Sequence, residues 1–256
     1  MRKPFPGSFR NRSSIGLGLV FVCLSALHSE DKPEAPRIAL AVPFAVSPNA
    51  TTKVMVRGWK LNRDIEARTT IGNVGLRVIK HENANIPNGQ EAKLIGDSQV
   101  ELEVTIPPDI SVQTLPIVFV AGGVESSPYS LLVGGRYPVV VEIEPNDSFR
   151  QAQPIAVPQI VDGQIHADRN VDAYSFELTE ERRVTVEVIA RRQGSGLDSL
   201  LTLFDSKKEI IATSDDVELT DSRIEVSLAA GKYFLVVQDA QDHGGSASPY
   251  RLVVGY

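Results

Sequence analysis

The chain has 256 residues, with 32 acidic side chains against 26 Lys and Arg and a formal net charge of −6. A surface of that sign lacks the clustered Lys and Arg that attract nucleic acid or anionic lipid, so neither is an expected partner. A single cysteine, Cys23, excludes a disulfide within the chain.

In chain order, the first predicted element is an export signal over residues 1–29. Arg2, Lys3, Arg10 and Arg12 precede the apolar run Ile15–Leu27, which is shorter than the about 20 residues of a membrane-spanning helix. The polar stretch "HSEDKPEAP" follows, so cleavage is expected near Ser29. Valine precedes Cys23 where a lipoprotein signal needs a small residue. The expected product is therefore exported (periplasmic, cell-envelope or extracellular), with no membrane insertion after cleavage. Four basic and no acidic residues leave with the signal, taking the net charge from −6 to about −10. Cys23 leaves too, so the mature chain must be held by core burial or by bound ions. Roughly 230 residues remain, room for two domains of about 100–120.

The rest of the chain alternates with period two. "TKVMVRGW" and "SQVELEVTIP" come first; "DAYSFEL" then sets Tyr174, Phe176 and Leu178 on one face. "RRVTVEVIAR" groups Val184, Val186, Val188 and Ala190, and "RIEVSL" groups Ile224, Val226 and Leu228. Gly, Pro and Asn/Asp clusters interrupt these runs, which predicts an all-β fold of sandwich or barrel class. Trp59 is expected in the core, with sugar stacking as the rival role. Residues 83–97 are expected to form a mobile loop. "SPYSLLVGG" (Ser127–Gly135) echoes "SPYRLVVGY" (Ser248–Tyr256), and both read as the last strand of a domain. The expected boundaries are 36–134 and 135–256.

Just past that joint, "VVVEIEPNDSF" gathers Glu142, Glu144, Asn146 and Asp147. On a strand the two glutamates share a side, which sends Val141 and Ile143 the other way, into the core. Three readings stand at this point: a solvated acidic turn, a cation site and a catalytic carboxylate pair. A calcium ion takes 6–8 oxygens; the cluster offers about half of these, and "HADRNVDAYSF" is the best source of the rest, through Asp168, Asn170 and Asp172. The catalytic reading needs a pocket that separates two carboxylate pKa values, and nothing in the sequence suggests one. Asp198, Asp215 and Asp216 read as turn aspartates at strand ends.

The run "EIEPNDSFRQAQPI…VDAYSFEL…LDSLLTLFD…AAGKYFLVV…SPYRLVV" resembles the bacterial pre-peptidase C-terminal domain (PPC). The resemblance implies a small jelly-roll-like β-sandwich and an accessory role, often beside secreted proteases. It implies calcium as the cofactor, held by Glu142, Glu144, Asn146, Asp147 and Asp172. Asn170 stands where the family pattern has an aspartate, and Asp168 is the expected substitute. "VRGWKL" and the later proline-bounded strands resemble the IPT/TIG type of immunoglobulin-like domain. The expected fold class is thus two β-sandwich domains, Ig-like then PPC-type, after a signal peptide.

A catalytic role is not expected. His81, His166 and His243 stand apart, with no H-E-x-x-H, no G-x-S-x-G and no phosphate-cradling glycine loop. The expected function is a non-catalytic exported accessory or binding protein with calcium stiffening the joint. Two alternatives are a carbohydrate- or protein-fibre-binding module and the front fragment of a longer secreted hydrolase. The expected partner is an extracellular protein or polysaccharide.

Overall fold

Alternation with period two becomes paired strands wherever one face has a core to meet. The structure, a computed structural model, describes residues 34–62, 64–86, 91–216 and 221–256; the expected signal over 1–29 lies outside them. Residues 33–256 form one compact unit with two separate hydrophobic cores.

The first core lies between two sheets. Its strands are β1 (Arg37–Val42), β2 (Ala45–Val46), β3 (Ala50–Trp59), β4 (Glu66–Arg68), β5 (Gly75–Asn83), β6 (Ser98–Ile106), β7 (Thr114–Ala121), β8 (Val124–Glu125) and β9 (Tyr129–Val133). One sheet runs β1-β3-β6-β5, the other β2-β9-β7-β4 with β8 beside β7. In β6 the row Val100, Leu102, Val104 and Ile106 is buried, while Gln99, Glu101, Glu103 and Thr105 stay at least partly wet. Leu115, Ile117 and Phe119 meet that row from β7. This strand-rich half fits the immunoglobulin-like expectation.

The second core lies between sheets β10-β12-β19-β14-β17 and β11-β13-β18-β15-β16. These strands are β10 (Val139–Val141), β11 (Gln153–Pro154), β12 (Gln159–Gln164), β13 (Val171–Leu178), β14 (Arg182–Ile189), β15 (Ser199–Phe204), β16 (Ile210–Ser214), β17 (Arg223–Leu228), β18 (Gly231–Asp239) and β19 (Pro249–Gly255). The sequence rows do what period two requires. Tyr174, Phe176 and Leu178 face Val184, Val186 and Val188 across one dry interior.

Two local expectations change. The stretch 83–97 holds a four-residue helix, α1 (Ala92–Ile95), while residues 87–90 lie outside the described set. Trp59 is only half-buried and outside the core cluster. Its Nε1 donates to the Ala92 carbonyl at 2.9 Å, and the Arg37 guanidinium covers its ring at 4.3 Å. α1 and Arg37 thus engage a ring that the sequence reading assigned to the core.

The two sandwiches touch through polar contacts. Tyr129 donates its hydroxyl to the Gln193 carbonyl at 2.8 Å and accepts the Ala41 N–H at 3.3 Å. Gly194, at φ 85°, lies so close to β1 that an added Cβ would stand 1.8 Å from the Ala39 carbonyl oxygen. Arg251 is buried, makes a two-pronged ion pair with Asp162 (2.6 and 2.8 Å) and reaches the Gly134 carbonyl at 3.3 Å.

Candidate metal centre

β10 lies parallel to β12, with Val141 opposite Asp162, and the Glu142 N–H continues the ladder to the Asp162 carbonyl at 3.0 Å. The expected orientation is inverted. Val141 and Ile143 are exposed at 70 % and 68 %, whereas the Glu142 side chain is 3 % exposed. The reason lies in what waits inside: polar donors that apolar side chains at 141 and 143 would leave unpaired. Glu142 Oε2 accepts the Gln164 N–H at 2.8 Å. Its Oε1 accepts Asn146 Nδ2 at 2.9 Å and lies 3.0 and 3.1 Å from the hydroxyls of Tyr174 and Tyr250. On the other edge of the chain, buried Gln153 accepts the Ile143 N–H at 2.8 Å and donates to the Val141 carbonyl at 3.2 Å.

Asp172 occupies the first place in the inward row of β13, ahead of Tyr174, Phe176 and Leu178. It is fully buried. Its Oδ2 meets the Tyr250 hydroxyl at 2.6 Å, and its Oδ1 has no hydrogen-bond partner. The two tyrosine hydroxyls also lie 2.5 Å from each other. Two phenolic protons therefore serve four close oxygen contacts among Glu142, Asp172, Tyr174 and Tyr250. That shortage has a titration counterpart. Burial, then the charge and contact of Glu142, push the Asp172 carboxyl up to about 9. Burial first drives both tyrosines well above their ordinary range, followed by the carboxylates for Tyr174 and by Tyr174 and then the carboxylates for Tyr250.

Asn146 is also fully buried. Its backbone N–H donates to Glu144 Oε2 at 3.0 Å, and its Oδ1 is a second buried oxygen without a partner. His166 closes the outer side, with Nδ1 3.1 Å from Glu144 Oε1 and 3.9 Å from Glu142 Oε2. The other candidates lie further out. Asp147 accepts Asn170 Nδ2 at 2.7 Å, and Asn170 Oδ1 accepts the His166 N–H at 2.9 Å. An amide thus meets the Asp147 carboxylate where a second aspartate would have repelled it. Asp168 is placed elsewhere, accepting the Gly244 N–H at 3.2 Å.

Of the expected ligands, Glu142, Glu144 and Asn146 are in mutual contact, and Asp172 meets Glu142 through Tyr250; Tyr174, Tyr250 and His166 join the cluster without having been expected there. The signal for Tyr250 was its place in the "SPYRLVV" echo; for Asp172, a charge at the head of an apolar row. Oxygen donors of this kind suit a hard divalent cation, which would satisfy the orphaned Asn146 and Asp172 atoms and take the place of the proton that Asp172 retains. Glu142 and Tyr250 also line a cleft of about 550 Å³ between the sandwiches, walled by Val42, Phe44, Val139 and Val141, which gives the cluster a route to solvent.

Among the described residues a second acidic group, Asp198, Asp215 and Asp216, also converges within 4.8 Å. Gln241 Nε2 donates to Asp198 at 3.1 Å and Arg191 stands 3.7 Å from it. None of its oxygens is both buried and unpaired.

The described residues form an all-β fold of two sandwiches. Residues 170–239, within the second sandwich, match the model of the bacterial pre-peptidase C-terminal domain. Of the six candidate ligands only Asp172 falls inside the matched stretch. Three solved structures show shallow likeness. The pre-peptidase C-terminal domain of a Bacillus anthracis collagenase is 16 % identical over 44 % of this chain and 99 % of its own, with a TM-score of 0.35. SGBP-B from a mixed-linkage glucan utilization locus of Bacteroides ovatus, in complex with a mixed-linkage heptasaccharide, is 11 % identical over 82 % and 76 %, TM-score 0.24. The secreted serine protease VesC of Vibrio cholerae is 10 % identical over 82 % and 48 %, TM-score 0.29. None of the curated proteins matches the chain. Among the described residues no helix is long and apolar enough to cross a membrane.

Proposed function

We propose that this is an exported, non-catalytic accessory protein whose pre-peptidase-type sandwich holds one calcium ion beside the joint with its neighbour. Glu142, Glu144, Asn146 and Asp172 are the side chains that would hold it, and Asp147 supports the loop through Asn170. The observation that carries the reading is the pair of buried oxygens without partners, Asn146 Oδ1 and Asp172 Oδ1, next to two glutamates. Buried polar atoms are almost always paired, so each of these needs an explanation. When bound, the ion supplies positive charge to a buried carboxylate cluster; it supplies no chemistry of bond breaking here.

The link to the joint is Glu142 itself. It follows directly from β10, the first strand after the first sandwich, and it also lines the cleft between the two. Fixing Glu142 therefore fixes the segment that connects them. The partner presented by this stiffened pair belongs to the outside of the cell, a protein or a polysaccharide. The test is a thermal melt of the mature protein in millimolar calcium and in chelator. Calcium should raise the melting temperature, by roughly 2–4 °C for each kcal/mol of binding free energy. An unchanged melt together with no calorimetric heat would remove the ion from this account.

A further inference from the structure

We infer that the outer face of the acidic cluster is a site for a transition-metal dication of the zinc class, with His166 as the residue that selects it. This rests on reading the seam as a cation site, and it adds a second class of ion on that site's outer face. A hard ion such as calcium uses oxygen alone, whereas imidazole nitrogen suits zinc and its neighbours. A ring nitrogen pointed at two carboxylates is therefore a donor that a calcium-only site has no use for.

The spacing agrees. Zinc with ligand bonds of about 2.0–2.1 Å in a tetrahedron needs donor atoms about 3.3 Å apart. His166 Nδ1 lies 3.1 Å from Glu144 Oε1 and 3.9 Å from Glu142 Oε2, and one ligand atom from each of the three residues falls within a 4.8 Å span. Three protein ligands leave a fourth position open, the pattern of zinc sites that face solvent. The His166 side chain is 51 % exposed, and His166 lines the cleft between the sandwiches, so an ion has a path in.

The donors are already held in place. Glu142 is fixed by the Gln164 and Asn146 contacts, Glu144 by the Asn146 N–H, and the His166 backbone by Asn170, itself bonded to Asp147. Such supports raise metal affinity because less freedom is lost on binding. Asn146, which contacts both glutamates, carries a buried Oδ1 without a hydrogen-bond partner, a polar atom beside the cluster that an ion would explain. The other acidic group, at Asp198, contains no histidine and no such oxygen.

Isothermal titration of the mature chain with zinc alone and with calcium alone tests this, in the natural protein and in His166→Ala, Glu144→Gln and His81→Ala. Expected are one zinc site, loss of zinc affinity by about 10–100-fold in His166→Ala, and no change in His81→Ala. Calcium binding should stay within about twofold in His166→Ala and weaken in Glu144→Gln, since both ions use that carboxylate. Replacing zinc with cobalt(II) should give the visible absorption of a tetrahedral site, lost in His166→Ala. Equal zinc isotherms with and without His166, or several weak sites in place of one, would overturn the inference. A protein that takes zinc through His166 but gives no calcium heat would retire the calcium reading and support this one.

Discussion

Asp172 shows how much one buried carboxyl can demand. Buried and close to the Glu142 carboxylate, it retains a proton in the ion-free protein up to about pH 9, against 3.8 for the exposed group. Between those values the folded chain binds one proton more than the unfolded chain, so this residue's contribution to stability is fully present below about pH 4. It falls as pH rises towards 9, by up to about 1.4 kcal/mol per pH unit. Calcium would take the proton's place, so the decline should be visible in chelator and largely absent in saturating calcium. Asp172→Asn keeps the shape and removes the charge. It should flatten the chelator curve, raise the melting temperature at pH 8 by several degrees, and abolish any calcium shift. Urea or thermal melts from pH 4 to 9 in chelator measure all three. A wild-type curve that rises over that interval would contradict the assignment.

At the scale of elements, the decisive feature is the side on which β10 places Glu142. Two exposed apolar residues, Val141 and Ile143, are tolerated because the inward position is filled by a carboxylate with four close polar neighbours. The loop that follows is fastened at its far end by Phe149. Its ring meets Phe204 and Phe234 edge-on, with centroids 5.0 and 5.2 Å away, on the outer face of the second sheet. A loop pinned at β10 and at Phe149 holds Glu144, Asn146 and Asp147 between two fixed points. Phe149→Ala should therefore cost about 1–3 kcal/mol of stability and also weaken calcium binding, although Phe149 offers no ligand atom. Urea titration gives the first quantity and calorimetry with calcium the second. A variant that loses stability yet binds calcium as before would show that the aromatic contact does not position the loop.

Over the whole molecule, two cores are joined by close backbone contact and by buried polar anchors. The paired tyrosines of the sequence echo show the division of labour: Tyr129 ties the first sandwich to the second, and Tyr250 reaches the acidic cluster. Gly194 sets the distance between sandwiches, because its positive φ and the near Ala39 carbonyl leave no room for a side chain. Gly194→Ala should open the joint and separate one melting transition into two. Differential scanning calorimetry would show this as an enthalpy ratio that departs from two-state behaviour. A single undisturbed transition would mean that the sandwiches unfold together for another reason.

The fold was legible in the sequence because a strand with one dry face must alternate. The rows in β6, β13 and β14 need no partner to be recognised. The cluster of Glu142, Glu144, Asn146 and Asp172 was legible as composition for the same local reason: charge concentrated at a turn and at the head of an apolar row. Which face of β10 turns inward was not, since alternation fixes the period and leaves its phase open. Only the packed tertiary structure chose that phase, because the donors that hold Glu142 come from Gln164, Tyr174 and Tyr250, up to 108 residues away along the chain. Trp59 met the same limit, its ring engaged by a helix and an arginine that local pattern does not place. Composition settles what a segment can bury, while long-range contact settles which atoms it meets.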